Sequence, residues 1–88
     1  PIEIKRHYHD DIWTACEEQL THYTNDPEAE GYGIYLVLWF GSEKSTPLPP
    51  EGISRPNSPE MLEAQLNELI PNDKKHKITT IVLDVTPP

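Results

Sequence analysis

A carboxylate and an amine lie two residues apart near the start of the chain, at Glu3 and Lys5. Alternate residues of a β-strand project from the same face, so both groups would point the same way in an extended segment. A carboxylate can bind Mg²⁺, a hard cation that takes oxygen ligands and keeps several waters. A lysine beside it can stabilise a charged phosphate or hold an attacking water. The pair therefore suits metal-assisted hydrolysis. The spacing alone, however, is better explained if the two residues simply form the polar side of an amphipathic strand.

A second polar pair, Gln19 and Tyr23, is spaced four residues apart, as on one face of a helix. The same face carries Ile12, Cys16 and Leu20, which predicts that it points inward. A buried glutamine needs a hydrogen-bond partner, because an unsatisfied amide costs about 1–3 kcal/mol. The pair is thus either part of a polar site or a partly exposed flank that bonds to the backbone.

Two further candidates are weaker. His7 and His9 alternate as two zinc ligands on a strand would, but the sequence offers no second pair spaced to complete a tetrahedral site. Cys16, on the apolar helix face, is predicted to be a small core residue rather than a nucleophile.

The elements that would position these groups follow from hydropathy. The alternation of residues 2–5 predicts a strand with one covered face. Asp10-Asp11 then caps a helix that starts at Ile12 and ends near Pro27, because proline disfavours a helical conformation at the residue before it. The continuous apolar run of residues 33–40 predicts a strand with both faces covered.

The second half of the chain predicts a loop, a helix and a strand. Residues 42–57 hold four prolines and predict an ordered or partly mobile loop without regular structure. Ser58 and Pro59 are typical of a helix start, and Pro71 ends that helix. Residues 77–85 predict a last strand. The inward stripe of the helix is predicted to be Met61, Leu62, Gln65, Leu66, Leu69 and Ile70.

The order strand, helix, strand, loop, helix, strand predicts an α/β fold. We expect a small mixed or parallel three-stranded sheet with two crossover helices. The 88 residues suffice for a single domain. Because the chain opens without Met, inside an apolar alternation, we expect residues 1–88 to be a fragment of a larger domain.

The charge of the chain restricts its partners. Fifteen acidic residues against seven basic ones give a net charge of −8, which argues against a broad DNA-coating surface. Basic groups nevertheless gather at residues 5–9, including Arg6, and at residues 74–77. They are either solvated faces or two clusters that meet and face phosphates. A single cysteine predicts a reducing, cytoplasmic location, and no apolar run approaches the roughly 20 residues of a membrane span.

Glu3-Ile4-Lys5, followed by Gln19-Leu20-Thr21-His22-Tyr23 and a long apolar strand, resembles the C-terminal half of the core of the PD-(D/E)XK nuclease superfamily, of the RecB-like kind. The restriction-endonuclease-like fold that this implies has a core of helix, three strands, helix and strand. The resemblance implies that Glu3 is a metal ligand, together with the carbonyl of Ile4. It further implies that Lys5 positions water or the phosphate and that Gln19 supports the site. Tyr23 would contact DNA, as would Arg6 in the basic cluster.

The expected activity is Mg²⁺-dependent hydrolysis of DNA phosphodiester bonds, with Mn²⁺ as an alternative metal. The metal-binding Asp of the family precedes Glu-x-Lys, where this chain has no residues, so we expect the chain alone to be inactive. A first strand without its neighbour would expose hydrogen-bonding groups, which a second copy or the missing N-terminal half would cover. The alternative is a non-catalytic module that binds a protein or nucleic acid within a larger protein.

Overall fold

The computed structural model describes residues 2–15, 18, 32–72 and 77–88. These residues form strands β1 (Ile2–Arg6), β2 (Gly33–Trp39) and β3 (Ile78–Asp84), with helix α1 (Pro59–Glu68) between β2 and β3. All strand pairs are parallel and the sheet order is β1-β2-β3. Parallel neighbours require crossover connections, and α1 lies in the second of these. The α/β class and the three-stranded parallel sheet are therefore confirmed.

The two predicted crossover helices differ in how much of them is described. Ala15 and Glu18 are helical, whereas Cys16 and most of the remaining predicted first helix lie outside the described residues. The second helix is confirmed. Its N-cap is Ser58, whose hydroxyl accepts the Met61 N–H at 3.1 Å. Across the described ranges, no helix has the length and apolarity needed to cross a bilayer.

The core lies on one face of the sheet. Tyr35, Val37 and Trp39 of β2 point toward the helix layer and are buried. Leu62 and Leu66 of α1 cover this side and are fully buried. Ile70, Ile12, Trp13, Ala15 and Ile78 complete the same cluster. Of the predicted helix stripe, Leu62, Leu66 and Ile70 are buried, while Leu69 is exposed.

The second face of the sheet is apolar but uncovered by the described elements. We call it the open face; by strand register it carries Ile2, Ile4, Arg6, Ile34, Leu36, Leu38, Thr79, Ile81 and Leu83. Ile2 and Ile4 are 61% and 57% exposed. Among the described elements, only one of the two predicted layers on β2 is present, because a continuous apolar run reports the hydropathy of both faces but not which layer packs on them.

Strand register also decides which side of β1 is covered. Glu3 and Lys5 pair with Tyr35 and Val37, whose side chains point into the core. Register partners in a sheet project from the same face. The polar side of β1 consequently faces the helix layer and its apolar side faces outward, contrary to the usual arrangement of an amphipathic strand.

Residues 42–57 contain no helix or strand, as predicted. Three side chains from elsewhere in the chain hold its backbone. Trp13 Nε1 donates to the carbonyl of Pro47 at 2.9 Å, and Gln65 Nε2 donates to the carbonyl of Ser54 at 2.7 Å. The third is His7, described below. The loop is therefore fixed against the core rather than free.

Candidate functional site

Glu3 and Lys5 lie side by side on β1. Glu3 Oε1 is 3.4 Å from Lys5 Nζ, and the two side chains are 30% and 21% exposed, respectively. The shared strand face explains the contact, because residues i and i+2 project together. The structure thus brings together two of the three groups that sequence reasoning assigned to catalysis. A partly exposed ion pair is worth little in stability, about 0–1 kcal/mol, so stability alone gives no strong reason for it.

The third group cannot be placed against this pair. Gln19 and Tyr23 lie outside the described residues, as do Lys74, Lys75 and His76 of the second basic cluster. The segment leading to the predicted Gln-x-x-x-Tyr helix is described, and its Ile12 and Ala15 are buried in the core on the same side of the sheet as Glu3 and Lys5. The predicted meeting of the three side chains therefore stays a prediction.

Ile4 and Arg6 point away from this pair. Ile4 lies between Glu3 and Lys5 on β1, and its side chain is on the open face. Arg6 ends the strand on the same open face and contacts Tyr8 instead of an acid. Its Nη1 is 3.4 Å from the Tyr8 hydroxyl, and its guanidinium carbon lies 5.7 Å from the ring centroid.

The described residues do not complete a metal site. Within them, no group of three or more His, Cys, Asp or Glu side chains lies close enough to hold an ion. The Glu3 carboxylate is already paired with Lys5. Proteins usually hold Mg²⁺ through one or two carboxylates, with waters and substrate phosphates as the other ligands. Glu3 could supply one such carboxylate.

The His7 and His9 pair does not form a zinc site either. His7 is fully buried, and its Nδ1 accepts the Phe40 N–H at 3.0 Å. Its Nε2 therefore carries the proton and donates to the carbonyl of Lys44 at 2.6 Å. With both nitrogens engaged, His7 cannot offer a lone pair to a metal.

Sequence reasoning missed the structural role of His7. The imidazole stacks on Trp39, with ring centroids 4.4 Å apart and planes 25° from parallel. It connects the end of β1 to the residue after β2 and to the loop. No local pattern marks this role, because its partners are more than 30 residues away in sequence.

Sequence reasoning also missed a cavity at the carboxyl end of β2. It has a volume of about 200 Å³ and lies between Trp39 and the loop that His7 holds. Lys44 and Arg55 both line it. Neither residue belongs to the basic clusters visible in the sequence, so only the fold of the loop places both residues in the wall of one cavity.

Comparison of the chain with protein-family models, with curated proteins and with solved structures finds no match.

Proposed function

We propose that this chain is part of a Mg²⁺-dependent nuclease domain, to which it contributes Glu3 and Lys5. The observation that supports the proposal is the contact between the two side chains at 3.4 Å. They lie on a strand that pairs in parallel with the next strand and face the side where Ile12 and Ala15 pack. The family resemblance implies a helix between these two strands, and most of that predicted helix lies outside the described residues.

In this proposal the two side chains have different roles. The Lys5 ammonium stabilises negative charge on the phosphate, and Glu3 offers one carboxylate oxygen as a ligand. A bound metal would supply Lewis-acid activation. Among the described residues, Glu3 offers one carboxylate and belongs to no group of three or more His, Cys, Asp or Glu side chains that could hold an ion. No hydrolytic step follows from them alone, and we expect the 88-residue chain not to cleave DNA.

The experiment that tests this proposal measures metal binding on the chain itself. Mn²⁺ is paramagnetic and broadens the NMR signals of nearby nuclei, so a weak site is detectable without catalysis. We expect titration with Mn²⁺ to broaden the amide signals of residues 2–6 and 35–37 before others. Glu3→Gln should remove the effect, whereas Glu60→Gln, an exposed acid in α1, should leave it unchanged.

Two outcomes bear on the proposal in different ways. Mn²⁺ that spreads over the acidic surface with no preference for β1 contradicts a metal-binding role of Glu3. Plasmid DNA incubated with the chain and Mg²⁺ or Mn²⁺ should remain uncut. Cleavage that disappears in Glu3→Gln would support the nuclease assignment and overturn the expectation of an inactive fragment.

A second candidate function, a protein-interaction module, is favoured by the open face. Five aliphatic side chains are exposed there: Ile2, Ile4, Ile34, Ile81 and Leu83. Contiguous apolar patches on a protein surface mark interaction sites far more often than isolated apolar residues do. This function uses the side of the sheet opposite to Glu3 and Lys5, so the two candidates are compatible in one molecule.

A further inference from the structure

The cavity at the carboxyl end of β2 has a lining that suits a ligand. β2 is the central strand of the parallel sheet, and Trp39 at its end forms part of the wall. In open parallel sheets, ligands bind at the carboxyl end where the strand order reverses, and the described order β1-β2-β3 has no reversal, so the lining rather than the position indicates a site. The polar residues of the wall are Ser42, Lys44, Ser45, Thr46, Arg55 and Asn57.

The charge of this cavity is opposite to that of the molecule. Its wall carries two cations and no carboxylate, in a chain of net charge −8. Within the described part of the chain, the Arg55 guanidinium has no hydrogen bond or ion pair. The Lys44 ammonium contacts the Tyr8 ring at 5.8 Å from its centroid and has no acidic partner among the same residues. The Arg55 guanidinium is therefore available to an anion, and Lys44 adds a second positive charge to the residues that line the cavity.

A buried hydroxyl group without a hydrogen-bond partner is an independent indication that the cavity holds a ligand or a water. Thr46 lines the cavity and is 3% exposed, yet its hydroxyl oxygen has no hydrogen-bond partner within the described residues. A buried polar group without a partner costs free energy, which a ligand or a water in the adjoining cavity would recover. Ser42, Ser45 and Asn57 add further polar groups around the same space.

The wall is held in place before any ligand arrives. The buried imidazole of His7 binds the carbonyl of Lys44, directly before Ser45 and Thr46. Trp13 and Gln65 donate hydrogen bonds to two further carbonyls of the same loop, those of Pro47 and Ser54. A loop fixed in this way loses little conformational freedom on binding, so more of the interaction energy appears as affinity.

We propose that this cavity binds the phosphate group of a small anion. The planar guanidinium of Arg55 matches two phosphate oxygens, Lys44 adds a second positive charge, and the Thr46 hydroxyl donates to a third oxygen. The volume of about 200 Å³ is below the roughly 300–1,000 Å³ of pockets that enclose drug-sized ligands. It admits a phosphate group with a few waters. None of the residues assigned to DNA hydrolysis takes part, so this site is separate from the proposed nuclease function.

The experiment is an NMR titration of the ¹⁵N-labelled chain with inorganic phosphate, against sodium chloride at equal ionic strength. We expect phosphate, but not chloride, to shift the amide signals of residues 42–46 and 55–57 in a saturable way. Arg55→Gln should weaken binding by roughly tenfold or more, because it removes a charged bidentate donor. Lys77→Gln removes one positive charge at the opposite end of β3 and should leave the affinity unchanged.

Two further measurements separate binding from a structural effect. Thr46→Val removes the unpartnered hydroxyl, so we expect equal or higher thermal stability together with weaker phosphate binding, a combination that a purely structural role does not produce. Adenosine monophosphate should bind as inorganic phosphate does if the ligand is the free anion, and more tightly if the phosphate belongs to an organic molecule. The proposal is overturned if chloride reproduces the shifts, if they do not saturate, or if a folded Arg55→Gln variant keeps wild-type affinity.

Discussion

At the scale of single residues, His7 is a buried polar side chain that connects three segments of the chain. It is fully buried, stacks on Trp39 and uses both ring nitrogens. The sequence places His7 in a basic cluster and makes it a weak candidate for a zinc ligand. Its hydrogen bonds instead connect the end of β1 to the residue after β2 and to the loop that lines the cavity.

We therefore predict that His7→Ala destabilises the fold by about 2–4 kcal/mol, because it leaves a cavity beside Trp39 and removes the side-chain partners of two backbone groups. Urea unfolding followed by tryptophan fluorescence measures this change. His9→Ala is the matched control: it removes a single acceptor for the Asp11 N–H and should cost less than about 1 kcal/mol. Equal effects of the two substitutions would contradict the assigned role of His7.

At the scale of elements, the two edge strands of the sheet differ in whether a described helix binds their outward backbone groups. β3 is an edge strand, and α1 lies against it. Glu63 of α1 accepts the Val82 N–H at 2.8 Å, and the Asn67 amide lies 3.4 Å from the Thr80 carbonyl. The helix thus satisfies backbone groups of β3 that would otherwise be open to another strand. β1, the opposite edge, has no described element in the same position.

Glu63→Ala should lower the free energy of unfolding by about 1–2 kcal/mol, because a hydrogen bond from backbone to a carboxylate is lost. Chemical denaturation measures the change, and hydrogen exchange should show faster exchange of the Val82 amide. Glu68→Ala, in the last turn of the same helix, should change stability by less than about 0.5 kcal/mol. An unchanged Val82 exchange rate in Glu63→Ala would show that the helix does not protect this edge.

At the scale of the whole molecule, the open face is an apolar sheet surface that no described element covers. Three strands about 4.8 Å apart, with five to seven residues each, give this face a footprint of roughly 300 Å². Stable complexes bury about 800 Å² per partner, so this face alone supports only weak association. The wild-type chain is expected to self-associate through it in a concentration-dependent manner.

Light scattering after size exclusion, over a range of loading concentrations, measures this association. Ile4→Lys places a charge on the open face and should give a monomer at every concentration, while the fold is kept because Ile4 is largely exposed. Leu48→Lys is the matched control, since Leu48 is 81% exposed in the loop and lies outside the open face. A wild-type chain that stays monomeric at the highest concentration would contradict the prediction of self-association through the open face.

Local patterns in the sequence determined the elements of this protein. Alternation marked β1, a continuous apolar run marked β2, and Ser58-Pro59 marked the start of α1, because strand periodicity and helix capping depend on residues close in sequence. The contact between Glu3 and Lys5 was likewise predictable, since two residues on one strand need only an extended backbone to meet.

Tertiary structure decided which faces are covered and where the cations meet. Glu3 and Lys5 turn toward the helix layer because parallel register ties them to Tyr35 and Val37 of β2. The cavity exists because His7 and Trp13 bind loop carbonyls more than 30 residues away. Such contacts depend on how distant segments pack, and hydropathy along the chain carries no information about that pairing.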